Sequence, residues 1–263
     1  MNEMKHPPQG YRMKLAANIS TLFTELPLIE RIEAAAKAGF KGVEAQRPYD
    51  TRADAIAEAL ARFSMPLVLI NIPSPIAALP GRRDTFLSQC DEALAYARAT
   101  QCKRLHVQPG IIPPEVSHAA AEATFIANLR HAADAAAIDG INIMLEPINN
   151  KVDMPGYFYS TTAEVLRIMD LVERPNLRLQ YDIYHMQIME GDLARTIERL
   201  LPRIGHMQLA DNPGRAEPGT GEINYPWLLN KIDALGYDGW IGCEYVPVAE
   251  TLAGLGWAKP YLS

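Results

Sequence analysis

The stretch "LQYDIYHMQ", Leu179–Gln187, places an acid and an imidazole, Asp182 and His185, in an otherwise apolar and aromatic run. Runs that are apolar almost throughout are typical of strands in a parallel sheet, because both faces of such a sheet are buried. Asp182 stands where this strand should end. The stretch therefore predicts a buried strand over residues 177–182 with chemically active side chains at its carboxyl end.

The same arrangement repeats along the chain. Short apolar runs alternate with long segments of helical period, such as residues 27–38, which begin at Pro27 and are followed by Gly39. Eight such alternations without a break in composition predict an α/β fold, a single (β/α)8 TIM barrel. The predicted strands cover residues 13–18, 42–44, 66–71, 104–108, 141–146, 177–182, 204–208 and 240–244.

The rival architecture is an open, doubly wound sheet. Its usual fingerprint is GxGxxG after the first strand, whereas "ANISTLF" follows here. The missing fingerprint and the number of units favour the closed barrel.

Composition limits the class of protein. The chain has 263 residues, of which 48% are hydrophobic, and a formal net charge of −6. This acidic balance disfavours a nucleic-acid binder, which would show clustered Lys and Arg. Cys90, Cys102 and Cys243 are odd in number and unevenly spaced, so we predict a reducing compartment, the cytoplasm.

The first residues are polar and rich in proline. We predict a flexible N-terminal arm over residues 1–12 and one barrel domain over residues 13–263. The arm has no apolar run, so no secretory signal is expected. No stretch reaches the ~18 apolar residues that a membrane span needs.

Each predicted strand closes on a polar residue. In a barrel these residues would all lie at the carboxyl-end rim, where barrel enzymes keep their active sites. Strands also end in polar residues simply because they end at the surface, and that alternative stays open for each position. The eight are Asn18, Glu44, Asn71, Gln108, Glu146, Asp182, Gln208 and Glu244.

Glu146, Asp182, Gln208 and Glu244 end four successive strands, the fifth to the eighth. Carboxylates converging on one side of a barrel raise each other's pKa, and a divalent cation removes that cost. Oxygen ligands favour Mg²⁺ or Mn²⁺ over zinc. The alternative is that the four groups form separate hydrogen bonds or salt bridges.

Several long motifs resemble one known family. "LEPIN", "DMPGY", "QYDIYHMQ", "ADNPGRAEPGTGEINYPWL" and "GWIGCEY" are similar to the hydroxypyruvate isomerase family, which belongs to the xylose-isomerase-like TIM barrels. The resemblance runs from about Lys14 to Trp257. It implies an isomerase that moves a proton between neighbouring carbons of a small hydroxy-oxo acid through an ene-diolate.

The resemblance also implies roles for single residues. Glu146, Asp182, Gln208 and Glu244 would be the metal ligands, and Glu146 and Glu244 would also transfer the protons. His185 would orient the substrate rather than bind the metal. The predicted substrate-binding residues are His185, Arg215, Asn71, Glu44 and Arg47.

Two stretches depart from the family pattern. "AQRPYD" has Gln46 and Arg47 where apolar residues are expected, and "NIPSPIAALPGR", Asn71–Arg82, is short and rich in proline. Both would border the barrel mouth, so the substrate pocket is expected to differ while the metal centre is retained. We predict that Arg47 contacts an anionic or polar group of the substrate.

The reference reaction is hydroxypyruvate to tartronate semialdehyde. A 2-oxo-tetronate isomerase is the close alternative, and a ketose 3-epimerase is less favoured because Gln208 stands where epimerases often carry His. An apurinic-site endonuclease would need several His ligands and a basic groove, and a non-catalytic sugar-acid binder would not need the Glu146/Glu244 pair. A homo-oligomer is possible.

Overall fold

The computed structural model describes residues 11–262, and its strands form a closed parallel barrel in chain order, with the first strand paired to the eighth. The predicted fold is confirmed. The strands are β1 Lys14–Asn18, β2 Gly42–Ala45, β3 Leu67–Asn71, β4 Arg104–His106, β5 Asn142–Leu145, β6 Leu177–Asp182, β7 Ile204–Leu209 and β8 Trp240–Cys243.

Helices on the outside connect the strands. The opening of α5 is a capping box, because Thr161 Oγ1 accepts from the Glu164 N–H while the Glu164 carboxylate accepts from the Thr161 N–H. The helices are α1 Leu28–Lys37, α2 Ala53–Arg62, α3 Arg83–Thr100, α4 His118–Ala137, α5 Thr162–Val172, α6 Ile183–Met189, α7 Leu193–Leu200, α8 Tyr225–Ala234 and α9 Thr251–Gly254, with 3₁₀ turns at Pro48–Asp50 and Leu255–Tyr261.

β1, β3 and β6 end at the predicted residues, and the other strands end one or two residues away from the prediction. β4 ends at His106, and β5 ends at Leu145, so Gln108 and Glu146 lie just beyond their strands. The register nevertheless places Asp182 beside Gln208, at the same level of the barrel. The polar residues therefore gather at the carboxyl-end opening of the barrel, which we call the mouth.

The barrel interior beneath the mouth is polar as well as packed. Glu44 on β2 is buried, and its Oε1 contacts His206 Nε2 on β7. A Cβ atom at Gly242 would come within 2.1 Å of Glu44 Oε1, so β8 needs glycine where this carboxylate crosses the barrel.

The N-terminal end of the described chain is attached to α8. Tyr11 Oη donates to Asn230 Oδ1 at 2.7 Å, and the Arg12 N–H donates to Asp233 Oδ1 at 2.7 Å. Residues 1–10 of the predicted arm lie outside the described residues. Within residues 11–262, no helix has the length and apolar character that crossing a membrane requires.

Candidate active site

Asp182 is oriented by the helix that follows it. It is the N-cap of α6, and its Oδ1 accepts from the backbone N–H groups of Tyr184 at 2.7 Å and His185 at 3.3 Å. Its Oδ2 is buried without a hydrogen-bond partner among the described residues. One oxygen is therefore fixed by the cap, and the other is left for a ligand.

Glu146 lies near Asp182 in an acidic, buried environment. Burial, with the neighbouring carboxylates of Glu244 and Asp182, raises the pKa of Glu146 well above its ordinary value. Burial also raises the pKa of Asp182, against the lowering effect of Arg215. Within residues 11–262, no hydrogen bond is donated to the Glu146 carboxylate, and its Oε2 lies 3.5 Å from His106 Nδ1.

Glu244 is held much more firmly. Its Oε1 accepts from Gln46 Nε2 at 2.8 Å and from Arg215 Nη2 at 3.1 Å, and its Oε2 accepts from Asn18 Nδ2 at 3.3 Å and from Gln208 Nε2. Burial raises the pKa of Glu244 to about 7, although Arg215 and Gln46 lower it. The two carboxylates that were predicted to transfer protons therefore have different surroundings.

Arg215 connects two sides of the mouth. Its Nη1 lies 2.9 Å from Asp153 Oδ2, its Nη2 lies 3.1 Å from Glu244 Oε1, and its guanidinium lies over the ring of Tyr184. Both terminal nitrogens are thus already paired with carboxylates. A bidentate grip on a substrate carboxylate would require Arg215, a predicted substrate-binding residue, to give up one of these partners.

His185 faces the acidic residues. Its Nε2 lies 3.7 Å from Glu146 Oε1 and 3.9 Å from Asp182 Oδ2, and its Nδ1 lies 2.7 Å from Asn149 Nδ2. Burial lowers the pKa of His185 to about 3, so the imidazole is neutral near pH 7.

Gln208 lies beside Asp182, on the neighbouring strand β7. Its Nε2 donates to Glu244 and to Glu44 Oε2 at 2.9 Å, and its Oε1 accepts from Gln180 Nε2. Glu44 is 1% exposed, and both its oxygens are paired with protein groups. Neither residue offers an exposed oxygen to the mouth in this arrangement.

The donor set fits a divalent cation. Glu146, Asp182 and His185 each offer a ligand atom, and these atoms lie within 4.8 Å of one another. The buried, unpartnered Asp182 Oδ2 and the raised pKa of Glu146 are what a site built for a positive charge would show without it. His185 lies in this group with Glu146 and Asp182, two of the four predicted ligands, and the ligand roles of Gln208 and Glu244 stay predictions.

Arg47 follows β2, on the opposite side of the barrel mouth from Asp182 at the end of β6. It is exposed, and its Nη2 donates to Gln108 Oε1 at 2.6 Å. Within residues 11–262 it has no carboxylate within 4.0 Å. Asn71 ends β3, the strand between β2, which precedes Arg47, and β4, which precedes Gln108. The backbone carbonyl of Asn71 accepts from Tyr49 Oη at 2.5 Å.

Sequence reasoning missed three polar residues that touch the site. Asn149 and Asp153 lie in the loop after β5, and His106 lies inside the barrel on β4. Asn149 and Asp153 stand in the family-like stretch "LEPINNKVDMPGY", which was the available signal. His106 carried no comparable signal because it lies inside the predicted strand over residues 104–108 and not at its end.

The closed parallel barrel, with a buried acidic cluster, a neutral imidazole and a guanidinium at its mouth, defines a barrel enzyme that acts on a small polar molecule. The family model of the xylose isomerase-like TIM barrel matches residues 32–261. The chain belongs to the xylose isomerase-like TIM-barrel family.

Named relatives make the class more specific. The chain is 44% identical over 257 residues to 2-oxo-tetronate isomerase of Pectobacterium atrosepticum, and the aligned region covers 95% of this chain and 98% of that protein. It is 42% identical to hydroxypyruvate isomerase of Escherichia coli, over 95% and 99% of the two chains. The protein is therefore an isomerase, and the resemblance seen in the sequence is confirmed.

A solved structure shows the same fold at similar identity. The crystal structure of AP endonuclease, family 2, from Brucella melitensis superimposes with a TM-score of 0.90 and 43% identity, and covers 95% of this chain and 99% of that chain.

Proposed function

We propose that this isomerase interconverts small hydroxy-oxo acids by proton transfer between neighbouring carbons through an ene-diolate, with a divalent metal ion. The reference reaction is hydroxypyruvate to tartronate semialdehyde, and 2-oxo-tetronate isomerisation is the alternative. The observation that carries the proposal is the pair of buried carboxylates, Glu146 and Glu244, whose pKa values are both raised at the barrel mouth. Relatives named for each reaction support it almost equally, at 42% and 44% identity.

The two carboxylates suit a base and an acid. A proton must leave the carbon that bears the hydroxyl group and return to the neighbouring carbonyl carbon. Carboxylates with raised pKa values lie closer to neutral pH and can both accept and donate that proton. Glu146, which has no hydrogen-bond donor among the described residues, is free to change protonation, while Glu244 is clamped in place by its donors.

The metal would be held by Glu146 and Asp182, with Gln208 and Glu244 completing the set that the sequence predicted. Gln208 could present its oxygen only if its amide turned over, because Nε2 faces the carboxylates here. When bound, Mg²⁺ or Mn²⁺ would stabilise negative charge that develops on the substrate oxygens. Direct substrate contacts of Asn71 and Glu44 remain predictions.

The two arginines at the mouth would have different tasks. Arg215 is already paired with Asp153 and Glu244, so we propose that it contacts a substrate oxygen close to Glu244. Arg47 has only the neutral Gln108 as a partner among the described residues, and its other N–H groups are available. A guanidinium binds a carboxylate well, so the acid end of the substrate would lie between β2 and β4.

A substrate panel tests the reaction. Purified protein with Mn²⁺ is given hydroxypyruvate, 2-oxo-tetronate and free ketoses, and isomer formation is followed by NMR. The proposal expects turnover of an oxo acid and little turnover of ketoses. Turnover of ketoses alone would replace it with an epimerase or sugar isomerase.

Arg47→Met tests where the acid end binds. The variant should raise KM at least tenfold for the oxo acid and leave KM unchanged for the matched neutral compound, in which CH₂OH replaces the carboxylate. Arg62→Met, at the exposed end of α2, is the control. An equal change in KM for the oxo acid and for the neutral compound would show that Arg47 does not bind the carboxylate of the substrate.

The name of the Brucella protein raises DNA cleavage as a second candidate. An acidic protein whose acidic cluster includes a single His, His185, suits a multi-histidine zinc site poorly. We expect no nicking of a duplex that contains an abasic site, with Mg²⁺, Mn²⁺ or Zn²⁺.

The cytoplasm is the location we propose. Cys90, Cys102 and Cys243 are free and buried, which agrees with a reducing compartment. A homo-oligomer remains a prediction, and light scattering after gel filtration would measure it.

A further inference from the structure

The amide of Asn149 can face His185 in only one way. Asn149 is buried, and its Oδ1 accepts from the backbone N–H groups of Val152 at 3.1 Å and Asp153 at 2.9 Å. If the amide were turned over, its NH₂ group would meet two N–H donors. Nδ2, a donor, is therefore the atom that lies 2.7 Å from His185 Nδ1.

This contact determines the tautomer of His185. Because Asn149 Nδ2 can only donate, His185 Nδ1 must accept and cannot carry a proton. A neutral imidazole with an unprotonated Nδ1 carries its proton on Nε2.

Nε2 has one donor, Arg215 Nη2, at hydrogen-bond distance and two acceptors slightly farther away. Two acceptors, Glu146 Oε1 and Asp182 Oδ2, lie 3.7 Å and 3.9 Å away. Arg215 Nη2 is a donor 3.5 Å from His185 Nε2 and would favour the opposite tautomer. The same nitrogen is closer to Glu244 Oε1, at 3.1 Å. Asp153 Oδ2, an acceptor near Nδ1, is 3.9 Å away. The contact from Asn149 Nδ2 to His185 Nδ1, at 2.7 Å, is shorter than the contacts of Arg215 and Asp153 with the imidazole, so it decides the tautomer.

We propose that Asn149 is a positioning residue that fixes His185 as the Nε2–H tautomer, so that a neutral imidazole donates a hydrogen bond into the acidic cluster. The use of this donor rests on the isomerase reaction proposed above. The acceptor would be an oxygen of the substrate beside Glu146. It also excludes His185 Nε2 as a metal ligand, because a ligating nitrogen must be unprotonated. Of the three neighbouring residues, Glu146 and Asp182 would then bind the metal, and His185 would donate a hydrogen bond.

A neutral donor has a chemical advantage here. It stabilises charge that develops on an oxygen without becoming a competing cation for the carboxylates. The loop after β5 supplies both Asn149 and Asp153, so the same loop orients His185 and pairs with Arg215.

The direct test is the protonation state of the two ring nitrogens. Protein labelled with ¹⁵N-histidine is examined by long-range ¹H–¹⁵N NMR at pH 8, without metal and with Mg²⁺, and the His185 signals are assigned with His185→Gln. The expected pattern is a protonated Nε2 and an unprotonated Nδ1 in both samples. An unprotonated Nε2 in either sample would overturn the proposal, and this result does not depend on whether the enzyme turns over any substrate.

Asn149→Asp tests the cause. Aspartate keeps an oxygen for Val152 and Asp153 but presents its second oxygen, an acceptor, to His185 Nδ1. The Nδ1 signal should change to the protonated type, and kcat should fall at least tenfold with a smaller change in KM. Asn224→Asp, the matched change at the N-cap of α8, should leave the signals and kcat unchanged. An unprotonated Nδ1 in Asn149→Asp, or equal losses in both variants, would show that Asn149 does not set the tautomer.

Discussion

Arg215 Nη2 lies 3.1 Å from Glu244 Oε1, while Nη1 of the same guanidinium lies 2.9 Å from Asp153 Oδ2. This bridge joins the loop after β5 to the end of β8 across the mouth. It makes Arg215 the principal positive charge beside Glu244, and its effect should be visible in the pH dependence of the reaction.

Replacing Arg215 should move the acidic limb of the pH profile. Arg215 lowers the pKa of Glu244, which burial raises to about 7, so Arg215→Met should raise that pKa further. Less of Glu244 is then ionised at neutral pH, and the acidic limb of kcat/KM should move up by about 1 pH unit or more. Arg215→Lys, which keeps the charge, should move it less. An unmoved limb would mean that Glu244 is not the group being titrated.

Asp182 and His185 should separate metal binding from turnover. Asp182→Asn keeps an oxygen to cap α6 but loses the charge on Oδ2, so Mn²⁺ affinity measured by calorimetry should fall at least tenfold. His185→Gln should retain Mn²⁺ within about twofold and still lower kcat. Loss of Mn²⁺ in His185→Gln would make His185 a ligand and contradict its role as a donor.

Gln46 should matter because of its contact with Glu244. Its Nε2 donates to Glu244 Oε1 at 2.8 Å, and its backbone is fixed by Ser20 Oγ and by the Asn71 N–H. Gln46→Met removes the donor at similar volume, and kcat should fall about tenfold or more, because a hydrogen bond to a charged group contributes about 1.5–3 kcal/mol. Gln89→Met, on α3, removes a hydrogen bond to Ser74 Oγ in the loop after β3 and should leave kcat unchanged.

Glu146→Gln should stabilise the metal-free protein at neutral pH. The pKa of Glu146 is raised in the folded protein, so its contribution to stability is full below the ordinary value of 4.5 and is lost as pH rises through the raised value. The loss approaches about 1.4 kcal/mol per pH unit. Urea unfolding in EDTA should therefore show the advantage of the variant growing from pH 5 to pH 8.

The control for this prediction is Glu25→Gln, an exposed position that should show no such trend. Mn²⁺ should reverse the order, because only the wild-type carboxylate binds the ion well. A variant that is less stable than the wild type at every pH would contradict the account of Glu146 as an uncompensated buried acid.

The fold could be predicted from the sequence because parallel-barrel strands have a strong signature. The run before Asp182 contains Leu177, Leu179 and Tyr181, and an acidic residue marks its end, so β6 was predicted at its observed bounds. β4 was predicted to end at Gln108, since Val107 and Gln108 continue the strand-like pattern, whereas the strand ends at His106.

The site was only partly accessible from the sequence. Residues at strand ends, such as Asp182, were found because barrel geometry brings them together. Hydrogen-bond direction could not be read, so neither the pairing of Arg215 with Asp153 nor the contact from Asn149 to His185 was expected. Such contacts depend on how the loop after β5 folds back, which local sequence patterns do not determine.

The central claim is that Glu146 and Glu244 pass a proton between neighbouring carbons of a hydroxy-oxo acid. Solvent deuterium incorporation measures this directly: protein with Mn²⁺ in D₂O is given hydroxypyruvate or 2-oxo-tetronate, and carbon-bound deuterium beside the carbonyl is followed by NMR against a sample without enzyme. The account predicts rapid incorporation by the wild type and a loss of at least 100-fold in both Glu146→Gln and Glu244→Gln, on the scale of general acid–base catalysis. Incorporation that is undiminished in either variant, or absent from the wild type with every oxo acid, would contradict it.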